Sequence, residues 1–221
     1  MKRGILHLAL LIVLFSMPAW AQDYDPFAYS SGPFHSCPSI GRGGDPDLNV
    51  LKNRDLPPPA FDPMIIDDIL GYVPPTASTM GRSVKRADWP QEAWDDVTPW
   101  ESSGVVIDGY LIGIRSEGPE SCNCGSRQYH DYHLWVVANS TDGKPVSVVV
   151  EISPRVLASH STWRQSTLSR LASQRTRVRI SGWLMWDEDH PEQIGLSRGT
   201  LWEVHPIHKI EYFSGGRWRT L

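Results

Sequence analysis

Alternating apolar and polar residues begin after residue 102 and define five strands. Apolar residues occupy about every second position in much of the stretches 105–115, 131–138, 146–153, 177–187 and 200–213. A period of two is typical of strands that place one face against a core. Gly109 and Gly113 interrupt the first stretch, where a long strand has to bend sharply. We therefore predict a β-sheet domain over residues 102–221.

A single predicted helix separates the third strand from the fourth. Thr162 and Gln165 have the spacing of a helix capping box, and Leu168, Leu171 and Ala172 form one apolar face. Three strands, a helix and two further strands are the order of a five-stranded Greek-key barrel of the OB type. The predicted fold class is therefore all-β, an OB-like barrel with one helix between strands three and four.

The N-terminus has the pattern of a cleaved export signal. Lys2 and Arg3 precede the apolar run 5–15, and residues 19–21 match the small-x-small pattern of a cleavage site. We predict a signal peptide over residues 1–21 and a secreted or periplasmic protein. The apolar run is shorter than the roughly 20 residues that span a bilayer, and no later run is longer, so no transmembrane segment is expected.

Residues 22–101 form a predicted Pro-rich arm with an aromatic lead-in to the barrel. Ten prolines lie between residues 22 and 75, and little periodicity accompanies them. This composition is typical of an extended segment that wraps a domain or links it outward. Prolines 90 and 99 interrupt the tryptophan-rich stretch 89–100, which predicts that no long helix forms there.

Net charge argues against one class of partner. The whole chain carries a net charge of −4, and removal of residues 1–21 takes away two cations and no acid, which gives −6. Duplex DNA is therefore not an expected partner, because neutralised phosphates dominate such binding. A local exception lies between residues 152 and 186, which contain no acidic residue. Its arginines are Arg155, Arg164, Arg170, Arg175, Arg177 and Arg179.

Three cysteines in an exported chain predict one disulfide and one remaining thiol. A bond between Cys122 and Cys124 would close a cramped ring, so Cys37 is expected to pair with one of them. The sequence leaves open whether the partner is Cys122 or Cys124.

Several short strings resemble a family of exported bacterial proteins that has no assigned activity. The likeness extends over residues 45–213 and includes the string LKNR at residues 51–54. Its other strings are ESCNC at 120–124, DYHLW at 131–135, EISPR at 151–155, GWL at 182–184 and LWEVHP at 201–206. The resemblance implies an OB-like fold and provides no activity, cofactor or ligand.

Strand alternation gathers polar and aromatic side chains on the outer face of predicted strands two, three and five. Arg155 follows directly after strand three and is added to this set. The predicted ligand-binding residues are Asp131, His133, Trp135, Glu151, Arg155, Glu203 and His205. OB domains hold oligonucleotides and oligosaccharides near this face. We therefore predict an exported, non-catalytic binding module for an oligosaccharide, a peptide or a protein partner.

Two alternatives use other chemistry. His133, Glu151 and His205 combine imidazole and carboxylate groups and predict a metal-assisted hydrolase. The arginine stripe from Arg155 to Arg179 together with Trp183 predicts a binder of single-stranded nucleic acid. No catalytic motif and no cofactor-binding motif occurs in the sequence, so no cofactor is expected.

Overall fold

The computed structural model describes residues 24–221, and the predicted signal peptide lies outside them. The strands are β1 (Asp62–Pro63), β2 (Gly104–Ser116), β3 (Tyr132–Val137), β4 (Val148–Ile152), β5 (Arg177–Trp186), β6 (Trp202–Ser214) and β7 (Arg217–Thr220). The α-helices are α1 (Pro46–Lys52), α2 (Ile66–Gly71), α3 (Gln91–Glu101), α4 (Pro154–Leu157) and α5 (Gln165–Ser173). Within residues 24–221, no helix is long and apolar enough to cross a membrane.

Five strands close into a mixed β-barrel. The antiparallel pairs are β2 with β3, β3 with β4, β5 with β6 and β2 with β5, and a parallel pair of β4 and β6 completes the circuit. β2 reaches both neighbours because it pairs with β5 up to Tyr110 and with β3 from Tyr110 onward. A register shift between Leu111 and Gly113 marks the bend. The five predicted strands and the bent first strand are confirmed.

Alternate side chains of the barrel strands fill its interior. Helices α2, α3 and α5 add apolar side chains to the same core, because their buried positions repeat at helical spacing. The strand residues in this core include Ile107, Leu134, Val136, Val148, Val150, Ile152, Ile180, Leu184 and Val204. The remaining side chains of β3, β4 and β6 consequently lie on the outer face of the barrel.

The connection between β4 and β5 contains two helices, whereas the sequence predicts one. The Ser153 side chain accepts a hydrogen bond from the Val156 backbone N–H and caps the short α4. α5 begins after Arg164 without a side-chain cap, so the predicted capping box of Thr162 and Gln165 does not form. Strands β1 and β7 are also additional to the prediction. β1 pairs with β2, and β7 forms a hairpin with β6.

The segment predicted to be extended contains three helices. In α1, Pro46 occupies the first turn and the Asp45 side chain accepts hydrogen bonds from the backbone N–H groups of residues 47 and 48. The expectation that no long helix forms in residues 89–100 is wrong, because α3 has 11 residues. Pro99 lies in its last turn, and the buried Ala93 and Val97 anchor the helix to the core.

Gly109 provides a test of this packing. A Cβ atom at this position would lie 2.6 Å from both the Val137 carbonyl oxygen and Ile66 Cδ1. We expect Gly109→Ala to lower the free energy of unfolding by about 1–3 kcal/mol, because a backbone atom cannot move aside. Denaturant titration measures this loss. The control is Gly118→Ala, where the space around the Cβ is open. Equal stabilities of the two variants would contradict the packing at the bend.

Candidate functional site

The outer face of β3, β4 and β6 brings five polar side chains together. His133 on β3 lies directly opposite Glu151 on β4, and Val149 on β4 lies opposite Glu203 on β6. We call Asp131, His133, Glu151, Glu203 and His205 the polar cluster. Every member was expected on one face from the period of two, and the structure places them in mutual contact.

His205 lies at the centre of the polar cluster. Its Nε2 is 3.3 Å from Asp131 Oδ2, and its Nδ1 is 3.2 Å from Glu151 Oε2 and 3.6 Å from Glu203 Oε2. His133 Nδ1 is 3.1 Å from Glu151 Oε1. Glu151 therefore lies between the two imidazole rings, with one oxygen facing each.

The polar cluster is buried, whereas the sequence predicts an open outer face. Asp131, Glu203 and His205 are 0% exposed, and His133 and Glu151 are 4% and 5% exposed. The side chains do point away from the barrel core. Three parts of the chain contact this face: residues 24–60, here called the covering segment, through Arg54; the loop between β2 and β3, through Asn123; and Arg198. A contact of this kind, far apart along the chain, is not visible in strand periodicity.

Arg54 fastens the covering segment to the barrel. Its guanidinium donates to the carbonyl oxygens of Glu101, Leu184 and His205 and to the Tyr24 hydroxyl, and its Nε donates to the Leu51 carbonyl oxygen. Five donors thus have five acceptors, which is the full capacity of an arginine side chain. The sequence contained one sign of this role, because Arg54 belongs to the LKNR string.

Aromatic and apolar contacts complete the cover. The Trp183 ring is 4.6 Å from the Tyr29 ring and 4.6 Å from the Arg54 guanidinium carbon, and its Nε1 donates to the Leu56 carbonyl oxygen. Beside it, Leu48 and Leu51 of α1 pack on Met185. Trp183 is therefore 0% exposed and offers no free ring face to a nucleic-acid base.

Neighbouring carboxylates favour the charged form of both histidines. Burial by itself lowers the pKa of His205, but Glu151, Asp131 and Glu203 outweigh it and raise the pKa to about 10. Burial likewise opposes the charge on His133, whereas Glu117 and Glu151 raise its pKa to about 9. The ring of His205 is thus held in a strongly negative environment.

Residues next to the polar cluster were missed by the sequence reasoning. Lys52 Nζ lies 4.0 Å from Glu120 Oε1 and 3.9 Å from Asp187 Oδ2. Burial and the nearby Asp131 raise the pKa of Glu120 to about 9. Arg198 pairs with Glu203. ESCNC contains Glu120 and LKNR contains Lys52, but none of the strings contains Arg198, and the ligand set was drawn from the strands and Arg155 alone.

Cys37 and Cys124 form the disulfide, which decides between the two pairings left open by the sequence. Cys122 is a buried free thiol, and burial among carboxylates raises its pKa. The Asn53 side chain donates to the Cys122 carbonyl oxygen, which fixes the loop between β2 and β3 beneath the covering segment. The disulfide therefore joins the covering segment to this loop.

Trp135 and Arg155 complete the predicted ligand set, and the Trp135 ring lies 4.5 Å from the ring of His133 in the polar cluster. Trp135 is buried, its Nε1 donates to the Ser197 carbonyl oxygen, and Lys144 Nζ lies 3.4 Å from its ring centre. Arg155 donates to the carbonyl oxygens of Gly32 and Cys37 in the covering segment. Trp135 therefore contacts the loop with Ser197, whereas Arg155 contacts the covering segment.

Arg155 lines an open cavity of about 260 Å³, here called the rim pocket. Its walls come from the covering segment, the loop between β2 and β3, and the start of α4. The lining residues are Phe34, His35, Ser36, Cys37, Arg42, Cys122, Asn123, Cys124, Ser126, Tyr129 and Arg155. His35, Ser36 and Cys124 have φ values of 45°, 67° and 55°, a left-handed conformation that is strained for such residues.

Two groups of side chains have ligand atoms within 4.8 Å of one another and could hold a metal ion. They are Asp131, Glu151 and His205, and Glu120, Cys122 and Asp131. Neither group includes His133, which the sequence reasoning had chosen as a ligand. The reason is geometric, because His133 contacts the far oxygen of Glu151.

In comparisons with protein-family models, curated proteins and solved structures, the chain matches none. The resemblance to exported bacterial proteins therefore stays a prediction. Any function has to be argued from the side chains themselves.

The pH dependence of stability at His208 tests the contact between the covering segment and β6. Its Nε2 lies 3.1 Å from the Arg54 carbonyl oxygen, and burial lowers its pKa to about 4. An unfolded chain binds this proton near pH 6.5, so the free energy of unfolding should fall by roughly 3 kcal/mol between pH 6.5 and 4. In His208→Gln this contribution is absent. Denaturant titration at several pH values measures it, and parallel pH curves for the two proteins would contradict the buried neutral imidazole.

Proposed function

We propose that the protein is an exported binding module on an OB-type barrel, and that the rim pocket takes an acidic oligosaccharide. The OB assignment is supported by the circuit β2, β3, β4, β6, β5, by its single parallel pair and by helices placed between β4 and β5. Export is supported by the pattern of residues 1–21 and by the disulfide, which is typical of an oxidising compartment.

The observation that carries this proposal is the guanidinium of Arg155. The side chain is 5% exposed, and no carboxylate of the described residues lies within ion-pair distance of it. Burial lowers its pKa, although Asp55 and Asp131 act in the opposite direction, so the guanidinium keeps part of the cost of its burial. An anion in the rim pocket would offset that cost. Arg42, exposed at the same pocket, adds a second cation.

Aromatic rings beside the arginines favour a sugar as the carrier of the anion. The rings of His35 and Tyr129 are stacked with centroids 4.3 Å apart, and Phe34 meets Tyr129 edge-on at 5.3 Å. Flat faces of this kind pack against the C–H groups of a pyranose ring, while arginine binds a carboxylate through two parallel hydrogen bonds. A uronic acid unit combines both features.

The proposed ligand site is the rim pocket, whereas the sequence predicts a ligand on the outer face of the strands. The polar cluster on the strand face is buried and has no room for an oligomer, whereas Arg155 of the predicted set lines an open cavity. The nucleic-acid alternative loses support for a related reason. Arg177 and Arg179 pair with Asp108, and Trp183 is buried.

Calorimetry with oligogalacturonate and its methyl ester tests the proposal. The acid should bind, and the ester should bind at least tenfold more weakly, since it lacks the charge that the arginines recognise. Arg42→Gln should weaken binding of the acid about tenfold or more, and Arg42 makes no hydrogen bond through its own side chain in the described residues. The matched control is Arg164→Gln, which removes an exposed cation far along the chain.

Three outcomes would overturn this assignment. Equal affinity for the acid and its ester would show that the ligand's charge is not recognised. Unchanged affinity in Arg42→Gln and Arg155→Gln would show that the ligand does not bind in the rim pocket. Binding of single-stranded oligonucleotides that weakens steeply with salt, in the absence of saccharide binding, would favour nucleic acid instead.

A further inference from the structure

Five buried polar atoms at His205 have no hydrogen-bond partner. They are both ring nitrogens of His205, Asp131 Oδ2 on the Nε2 side, and Glu151 Oε2 and Glu203 Oε2 on the Nδ1 side. The carboxylate oxygens lie 3.2–3.6 Å from the ring nitrogens, yet none of the contacts has the geometry of a hydrogen bond. Leaving such atoms unsatisfied is costly, typically about 1–3 kcal/mol each, so a group that satisfies several of them at once would be stabilising.

The other oxygen of each carboxylate is already held. The Asn123 side chain donates to Asp131 Oδ1 at 2.9 Å, and His133 Nδ1 lies 3.1 Å from Glu151 Oε1. One oxygen of each carboxylate is thus oriented by a neighbour while the second is directed toward His205. Metal-binding carboxylates are typically oriented in this way, because a hydrogen bond to one oxygen directs the other oxygen toward the metal ion.

A bound dication would take over the charge that the protonated imidazole rings supply to Asp131 and Glu151. Arg198 lies near Glu203 and Asp187, and Lys52 lies between Glu120 and Asp187. Among the described residues, Asp131 and Glu151 form ion-pair contacts with imidazole rings alone. A dication with a neutral His205 would balance both carboxylates.

We propose that Asp131, Glu151 and His205 bind one divalent transition metal ion. Two carboxylate oxygens and one imidazole nitrogen are a ligand set that suits Zn²⁺. One ligand atom of each residue lies within 4.8 Å of the other two, and Asp131 Oδ2 is 3.3 Å from His205 Nε2, close to the roughly 3.3 Å between two ligands of a tetrahedral ion. Asn123 and His133 are positioning residues, since each contacts a ligand and not the site itself.

A surface cavity lies beside this site. It has a volume of about 210 Å³ and is lined by Lys52, Glu120 and Cys122, among others. Glu120 and Cys122 also form the second group of potential ligands, which shares Asp131 with the first. The cavity therefore reaches two residues of the second group, whereas Asp131 itself does not line it. This metal site is independent of the rim pocket, and either proposal can fail without the other.

Titration of chelator-treated full-length mature protein with Zn²⁺, followed by calorimetry, tests the proposal. One ion should bind per chain. Asp131→Asn and Glu151→Gln keep the side-chain shapes and should each weaken binding at least a hundredfold. His133→Gln should weaken it about tenfold to a hundredfold, as expected for a positioning residue. His208→Gln, which alters a histidine of the same strand outside the polar cluster, should leave the affinity unchanged.

Substitution with Co²⁺ gives a second readout that needs no variant. The wild-type protein should show visible bands of nitrogen and oxygen ligation and no thiolate charge-transfer band. A thiolate band would overturn the assignment in favour of Glu120, Cys122 and Asp131. The proposal is also overturned if neither Zn²⁺ nor Co²⁺ binds stoichiometrically, since protonated His205 would then balance the carboxylates, or if Asp131→Asn and Glu151→Gln bind as the wild type does.

Discussion

The five hydrogen bonds of Arg54 are the interaction on which the rest of the molecule depends. Three of them join the covering segment to α3, β5 and β6, and the carbonyl oxygen of His205 is one of these acceptors. A lysine has three donors on one nitrogen and could not reach these acceptors in the same plane. Arg54 therefore holds the covering segment against β6, beside the buried polar cluster.

Burial changes what the polar cluster can do. On an open face, water would satisfy the carboxylates and the imidazole rings, and their mutual interaction would be weak. Under the covering segment the same groups interact strongly, and each needs a partner within the protein or a bound ion. The disulfide and the Asn53 contact hold the loop that carries Cys122 and Asn123 in this arrangement. The cover, the loop and the barrel therefore form one site.

The barrel itself follows from local sequence, whereas the cover does not. Periodicity predicted all five barrel strands and the common face of His133, Glu151 and His205, because alternation is a property of each strand alone. The burial of these residues arises from contacts between distant positions, such as Arg54 with His205, which are 151 residues apart. α3 was missed for a related reason, since packing of Ala93 and Val97 on the core outweighs the break at Pro99. Arg155 was predicted as a ligand residue, but its cavity also depends on the covering segment.

Hydrogen exchange of the native protein, read out by mass spectrometry, tests most directly whether the cover is part of the folded unit. We expect the amides of α1 to exchange with the same opening free energy as those of β6, since Arg54 joins both. In Arg54→Lys, the amides of α1 should exchange far sooner than those of β6. Rapid exchange throughout α1 in the wild-type protein, with β6 still protected, would show that the covering segment is not part of the folded unit.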